Sequence, residues 1–506
     1  MRSYYTYIMA IVVVLFSCSG SDDFTGNSET NDPDSTEDTT PIVISAGLSR
    51  ATPLLGYNQQ GLLEPEVADS DFYGLLNATA PAMLRYPGGV ESQYWDWQNG
   101  RIIDELNWVP NGGTLEDNYF LSQVPQPSNT LLNLKQKLEI TGSEVLFCLN
   151  VTSRTLEDQL EMLQEAQTIG IPVNYIELGN ELYLSDADYI NKYPTARDYA
   201  LEMNNWIAAI RDTFPNAKIG ICGTGVSGNR PERQLSWNDA LFDLITDVDA
   251  ITMHPYPGSI AEGQPNFDLS LLPSILSGPF RRNELNYSGP PGNPTAGINA
   301  FPASWELWIT EYNLFELATA QNELAVASTW THGLFSGLLT LLPMQNDPAT
   351  ILLNHVSHSN LLSFGAIVAE YENTAEGPIR IGDWELSAHG IVHSLIFNAA
   401  KNANSLATIN FSRNPVFFEN NEVAYGSLVG VFFEGSGKRA IIFNLGNATQ
   451  TLDVASLFPN GGSYASYTIA EGQHAKIKVN SEDLIIIDNS FTDTITIPPY
   501  GIVAIN

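Results

Sequence analysis

Between residues 54 and 354 the chain carries eight short apolar runs of strand character, separated by stretches of helical character. The runs are Leu54–Asn58, Ala82–Tyr86, Val145–Asn150, Tyr175–Leu178, Lys218–Cys222, Ala250–His254, Leu307–Thr310 and Thr350–Asn354. Alternation of this kind implies parallel strands, because parallel neighbours must be joined by a crossover. Eight such units are the number that closes into a (β/α)8 barrel, so an α/β barrel is the expected fold. The intervening helices are readable from spacing. Thr155–Thr168 sets Leu156, Leu160 and Leu163 on one face, and Thr195–Thr213 does the same with Tyr199, Met203, Trp206 and Ile210. Gln321–Leu342 reads as one long apolar helix with a stripe of small residues.

Two connections, roughly 87–143 and 255–305, are much longer than barrel loops need to be. Loops of that length are usually functional, and in a barrel they would wall a substrate cleft. After about residue 400 the pattern changes to short alternating runs punctuated by Gly, Asn and Pro. These are Ser405–Phe411, Ala424–Phe433, Lys438–Asn444, Ser466–Ala470, Leu484–Ile487 and Thr494–Ile497. They predict an antiparallel β-sandwich over 401–506 after a barrel domain over 41–400, with Pro41–Ala46 a candidate extra strand of the sandwich.

The start of the chain reads as a targeting segment. Met1-Arg2 is followed by an apolar stretch, Ile8 to Phe16, too short to span a bilayer. Leu15-Phe16-Ser17-Cys18 resembles a bacterial lipoprotein signal box, which implies cleavage after residue 17 and lipidation of Cys18. Ser19-Gly-Ser-Asp22-Asp23 is similar to the acidic surface-export signal of such lipoproteins. Residues 19–40 hold seven acids and no bases, the composition of a disordered tether. The expectation is a protein held on the outer membrane, exposed at the cell surface, touching the membrane through its lipid alone. An ordinary secretory signal with an incidental cysteine is the alternative. Beyond Cys18 only Cys148 and Cys222 remain, both in apolar company and expected to be buried thiols. A net charge of −35 argues against a nucleic-acid partner, which needs clustered Lys and Arg.

Two of the predicted strands lead into glutamates at the barrel face where active sites form. One is Tyr175-Ile-Glu-Leu-Gly-Asn-Glu181 and the other Trp308-Ile-Thr-Glu311-Tyr-Asn. Glutamates there also cap helices or form ion pairs. A pair 130 residues apart, each on its own strand end, is better explained as two carboxylates across one sugar-sized gap. Glu311 is then the candidate nucleophile and Glu181 the candidate acid/base. Glu177 shares strand parity with Glu181, so it is expected to support the site from inside the barrel or to be structural. Trp95 and Trp97 lie on the long loop and could stack on sugar rings or pack beneath it. No His-Glu-x-x-His, phosphate loop or Gly-x-Ser-x-Gly elbow occurs. His355 and His358 are three apart without an ordered carboxylate partner, so neither metal nor cofactor is expected.

Leu84-Arg85-Tyr86-Pro87-Gly88-Gly89, Tyr94-Trp-Asp-Trp97, Glu177-Leu-Gly-Asn180-Glu181, Met253-His254-Pro-Tyr256 and Thr310-Glu311-Tyr-Asn313 form an ordered series. Together they resemble the retaining glycoside hydrolases of clan A, most of all the family 51 α-L-arabinofuranosidases. Family 79 glucuronidases and algal-polysaccharide hydrolases are more distant relatives. The resemblance implies that Arg85 holds the nucleophile ionised, Asn180 binds a sugar 2-hydroxyl, Tyr256 donates to Glu311 and His254 lines the same wall. It implies an oligo- or polysaccharide substrate and no cofactor. Two departures concern sugar contacts: Val90 stands where that family has Asn, and Tyr57-Asn58-Gln59 replaces a segment with a sugar-binding Glu. A surface lipoprotein that binds glycans without cleaving them is the rival reading.

Overall fold

The computed structural model describes residues 40–61, 64–103, 129–225, 231–258, 269–289, 293–316, 326–346, 349–359, 364–374, 377–420, 423–470, 472–474 and 481–506. The signal segment and acidic tether lie outside these residues, as do parts of both long connections.

Eight parallel strands close into a barrel. They are β1 (Leu54–Asn58), β2 (Met83–Tyr86), β3 (Glu144–Cys148), β4 (Tyr175–Leu178), β5 (Lys218–Cys222), β6 (Ala250–Thr252), β7 (Glu306–Tyr312) and β8 (Ala349–His355). Each pairs with its neighbour in sequence, and β8 returns to β1 through Ile351↔Leu54 to His355↔Asn58. A helix follows every strand: α1 (Ser70–Ala78), α2 (Leu131–Thr141), α3 (Leu156–Thr168), α4 (Ala196–Thr213), α5 (Trp237–Leu244), α6 (Leu272–Ser288), α7 (Trp330–Met344) and α8 (Ala388–Ala400). This is the predicted (β/α)8 barrel.

The barrel is filled, not hollow. Met83, Leu146, Ala250, Trp308, Ile351 and Leu353 point inward and form a closed apolar plug. The Trp308 indole fits because residue 220 is glycine; a Cβ there would stand 2.6 Å from the ring. The plug leaves the C-terminal mouth to polar side chains.

Local signals set the helix starts. Thr155 and Thr195 cap α3 and α4, and Thr195 forms a capping box with Asp198. The apolar face of α4 is the predicted one, with Tyr199, Met203, Trp206 and Ile210 buried. In α3 the buried stripe is rotated to Gln159, Met162, Leu163 and Ala166, and Leu156 and Leu160 are half-buried. Of the helix expected over Gln321–Leu342, residues 321–325 lie outside the described residues, and among the described ones it starts at Trp330. Glu316 accepts the Val326 and Ala327 N–H groups from ten and eleven residues away, Ser328 takes a φ of 63°, and the Thr329 hydroxyl caps α7. Once formed, α7 is buried on every side, because the C-terminal domain covers the face turned away from the barrel.

That domain is a nine-stranded sheet in the order 484–491, 462–469, 501–505, 438–444, 428–435, 403–411, 42–51, 450–453, 494–497. Its second apolar core includes Ile42, Ile44, Ile442, Leu452, Ile497 and Val503. The N-terminal strand Ile42–Ala51 lies antiparallel to Ala403–Phe411. Its other edge runs parallel to Gln450–Asp453, so the sheet is not purely antiparallel. Ile42 and Ile44 turn into the core there. The run expected at Ala424–Phe433 breaks at Ser427 into Ala424–Gly426 and Leu428–Gly435.

Between α7, α8 and the barrel sit three buried histidines, His332, His389 and His393. The rings of His332 and His389 are 4.4 Å apart. His332 is held neutral: Nδ1 accepts the Ser328 N–H, and Nε2 faces the Asn313 Oδ1 at 2.9 Å. Burial, with mutual repulsion for His332 and His393, pushes these rings down, His389 to about 4. Burial also lowers His355, and His358 to about 4. Unfolded, all five take a proton below about pH 6.5. Stability is therefore lost as pH falls from 7 towards 5, at up to about 1.4 kcal/mol per pH unit per histidine. Glu91, Asp186 and His254, whose pKa values are raised, act in the opposite sense but are fewer. Urea unfolding at pH 7, 6 and 5 should show a falling midpoint; a flat or rising one would contradict this balance.

Candidate active site

The polar mouth of the barrel is organised around Arg85, the third residue of β2. Its guanidinium is fully buried and each nitrogen is engaged. Nε donates to Glu177 Oε2 (2.6 Å) and Nη1 to Glu311 Oε1 (2.7 Å) and Asn58 Oδ1 (3.0 Å). Nη2 donates to Asn180 Oδ1 (2.8 Å) and approaches Cys148 Sγ (3.4 Å). One cation thus ties together β1, β2, β3, β4 and β7.

Glu311 reaches the mouth through an irregularity. Ile309 pairs with Leu352 and Tyr312 with Asn354, so β7 has one residue more than β8 there. Trp308 points inward and Tyr312 outward, onto Thr340. Strict alternation from Trp308 would send Glu311 outward and Tyr312 inward; the bulge reverses both and turns Glu311 to the mouth. Its Oε1 also accepts from Asn58 Nδ2 at 3.3 Å, and its Oε2 accepts the Tyr256 hydroxyl at 2.7 Å. His254 and His355 each stand 3.8 Å from Oε2. Burial would raise this carboxyl, but His254, His355, Arg85 and Tyr256 outweigh it and hold it down at about 2. Burial and the adjacent Glu311 charge push the Tyr256 phenol well up, so it stays a donor.

Glu181 is placed by a tight turn after β4. Gly179 has a φ of 89°, and a Cβ there would meet Leu182 and Val151 at 2.7 and 2.8 Å. Glu181 itself sits in the left-handed region at φ 48°, a conformation that costs a non-glycine residue free energy and recurs at functional sites. Its Oε1 accepts from Tyr183 (2.9 Å) and faces His254 Nδ1 (3.0 Å). His254 Nε2 faces Thr310 Oγ1 at 2.9 Å, and Thr310 Oγ1 donates to Glu177 Oε1 at 3.1 Å. Burial works against charge on His254, but Glu311 and Glu181 more than compensate and raise its pKa.

A carboxylate oxygen of Glu181, one of Glu311 and a ring nitrogen of His254 all lie within 4.8 Å of one another. Among the described residues this is the one group of such donors close enough to hold a metal ion. The positive charge that a metal would bring to Glu311 is already provided by Arg85. The arrangement suits two carboxylates acting on one bond: Glu311 is bound by donors and ionised, and Glu181 sits beside a proton carrier.

The structure therefore brings Arg85, Glu177, Asn180, Glu181, His254, Tyr256 and Glu311 into one cluster. The two tryptophans stand apart from this hydrogen-bonded cluster. Trp95 is buried, donates its indole N–H to Tyr86 (3.0 Å) and packs edge-on to that ring. Trp97 is also buried. They follow a short 3-10 turn at Val90–Tyr94, and Trp95–Asp96 pairs antiparallel with Arg101–Ile102.

Five partners were not selected from sequence: Asn58, Cys148, Tyr183, Thr310 and His355. Asn58 occupies the segment where a sugar-binding Glu was missing; its Nδ2 contacts Glu311 and His355 Nδ1 (2.7 Å). His355 was considered with His358 and lacked a carboxylate partner in sequence, yet folding puts it beside Glu311. A usable signal existed for Asn58, Cys148 and His355: all end barrel strands.

The fold is shared with carbohydrate-active enzymes. A thermostable family 51 α-L-arabinofuranosidase from Thermotoga petrophila RKU-1 is similar at a TM-score of 0.62 and 15% identity, over 92% of this chain and 99% of that one. A family 51 α-L-arabinofuranosidase from Bifidobacterium longum gives 0.65 and 14%, with the same coverage. A 4-O-α-L-rhamnosyl-β-D-glucuronidase from Fusarium oxysporum 12S gives 0.55 and 14%, again over 92% and 99%. No protein-family model matches the chain, and no curated protein sequence matches it. The fold is thus one shared with family 51 α-L-arabinofuranosidases and with this glucuronidase.

Proposed function

We propose that the protein is a retaining glycoside hydrolase acting on plant or algal poly- or oligosaccharides, with arabinofuranosidase-like activity the first to be sought. The observation that carries this reading is the approach of Glu181 and Glu311 to within 4.8 Å, with Glu311 held ionised. Retaining enzymes keep their carboxyl groups about 5–5.5 Å apart, whereas inverting ones leave room for a water. In this reading Glu311 attacks the anomeric carbon while Glu181 protonates the leaving oxygen. Glu181 then takes a proton from the water that releases the sugar. Asn180 spends its Oδ1 on Arg85, which leaves its NH2 to bind a sugar hydroxyl. Lipidation at Cys18 and display on the cell surface belong to the same proposal and suit an enzyme that meets polymers outside the cell.

The test is turnover on a panel of aryl glycosides, α-L-arabinofuranosides included, and of plant and algal polysaccharides, with the first-formed anomer read by NMR. Retention is expected. Inversion would overturn the double-displacement mechanism, and binding without turnover across the panel would favour the glycan-capturing lipoprotein.

A further inference from the structure

Glu177 is fully buried and joins two hydrogen-bond chains. Its Oε2 takes the Arg85 Nε–H, and its Oε1 takes the Thr310 hydroxyl. A carboxylate paired with arginine offers only lone pairs, so the single Thr310 proton points at Glu177. The 2.9 Å contact between Thr310 Oγ1 and His254 Nε2 must then use a Thr310 lone pair, which requires hydrogen on Nε2. On a neutral ring Nδ1 is left as a lone pair. Its 3.0 Å contact with Glu181 Oε1 then holds one proton, carried by Glu181 when the ring is neutral and by Nδ1 when the ring is charged.

We infer that Thr310, oriented by Glu177, is a positioning residue that keeps hydrogen on His254 Nε2 and so presents Nδ1 to Glu181 as the site that shares a single proton with its carboxyl. The inference rests on Glu181 being the acid/base of the proposed reaction. Glu177 so serves both halves of the site: through Arg85 it steadies Glu311, and through Thr310 and His254 it sets Glu181.

His254 is faced by Glu181 from the turn after β4, Glu311 and Thr310 from β7, Arg85 from β2 and His355 from β8. Glu181 is faced further by Tyr183 and Asp186. All of these except Thr310 stay in place in a Thr310→Val variant, so a change in that variant is due to the lost hydroxyl.

The direct test is 15N NMR of histidine-labelled protein near pH 8, with His254 assigned by its loss in His254→Gln. The wild type should give the Nε2–H pattern, Thr310→Ser should keep it, and Thr310→Val should shift it towards Nδ1–H. An Nδ1–H pattern in the wild type, which requires no variant to fold, would overturn the inference, as would a Val variant with an unchanged pattern. In kinetics, Thr310→Val should move the descending alkaline limb of kcat/KM down by about one pH unit, the size of one hydrogen bond. The acid limb set by Glu311 should stay, and Thr310→Ser should restore the alkaline one. An unmoved alkaline limb would overturn the inference. Absence of turnover on every substrate would instead remove the glycosidase reading and leave the tautomer result standing.

Discussion

Replacing Glu311 with glutamine is expected to lower kcat by about 10⁴-fold or more while leaving the protein folded. The size follows from removing a nucleophile that acts as a unit with its partners, where one loss costs nearly as much as losing the set. Folding should survive for a structural reason. The amide oxygen can still accept from Arg85, the amide nitrogen can donate to the Tyr256 oxygen, and Arg85 keeps its ion pair with Glu177. The measurement is kcat on a substrate that the native protein cleaves, alongside its thermal transition. Turnover within tenfold of the native rate would remove Glu311 from the chemistry, whatever the fold.

Arg85→Met should damage the fold itself. The arginine sits between two buried carboxylates, at 2.6 Å from Glu177 and 2.7 Å from Glu311. Its removal leaves both charges in the barrel mouth without a counter-ion. Breaking a buried ion pair in this way costs about 3–5 kcal/mol. Adding Glu177→Gln removes one of the stranded charges and should recover part of the loss, so the two changes should be non-additive. Urea unfolding of the two single variants and the double variant measures this. A loss below about 1 kcal/mol for Arg85→Met would mean that the ions are screened as at a surface. The same variant should show the Glu311 carboxyl titrating higher, because one of the groups holding it near 2 is gone.

The legibility of this protein from sequence was uneven in a physically consistent way. β1, β4 and β5 have the bounds that their apolar runs predict. Helix starts were legible where a Thr precedes the run, as at Thr155 and Thr195, since capping is a local interaction. The start of α7 was not, because Glu316, ten and eleven residues away, supplies the acceptor that holds the preceding turn. The tryptophans of the long loop had two readings open to them, and a packing partner from another segment, Tyr86, decided for Trp95.

By itself the sequence determined the periodicity: eight strand–helix units, a β-rich end, and two glutamates at the ends of the fourth and seventh strands. Those are properties of neighbouring residues, and neighbours are what a sequence records. The tertiary structure alone decided which way Glu311 faces, since its direction comes from a one-residue mismatch between β7 and β8. It alone put Asn58, Thr310 and His355 among the partners of the two glutamates and made Arg85 the shared cation of five strands. These contacts join residues far apart in the chain, and closing the barrel fixes their distances, to which no local pattern is sensitive.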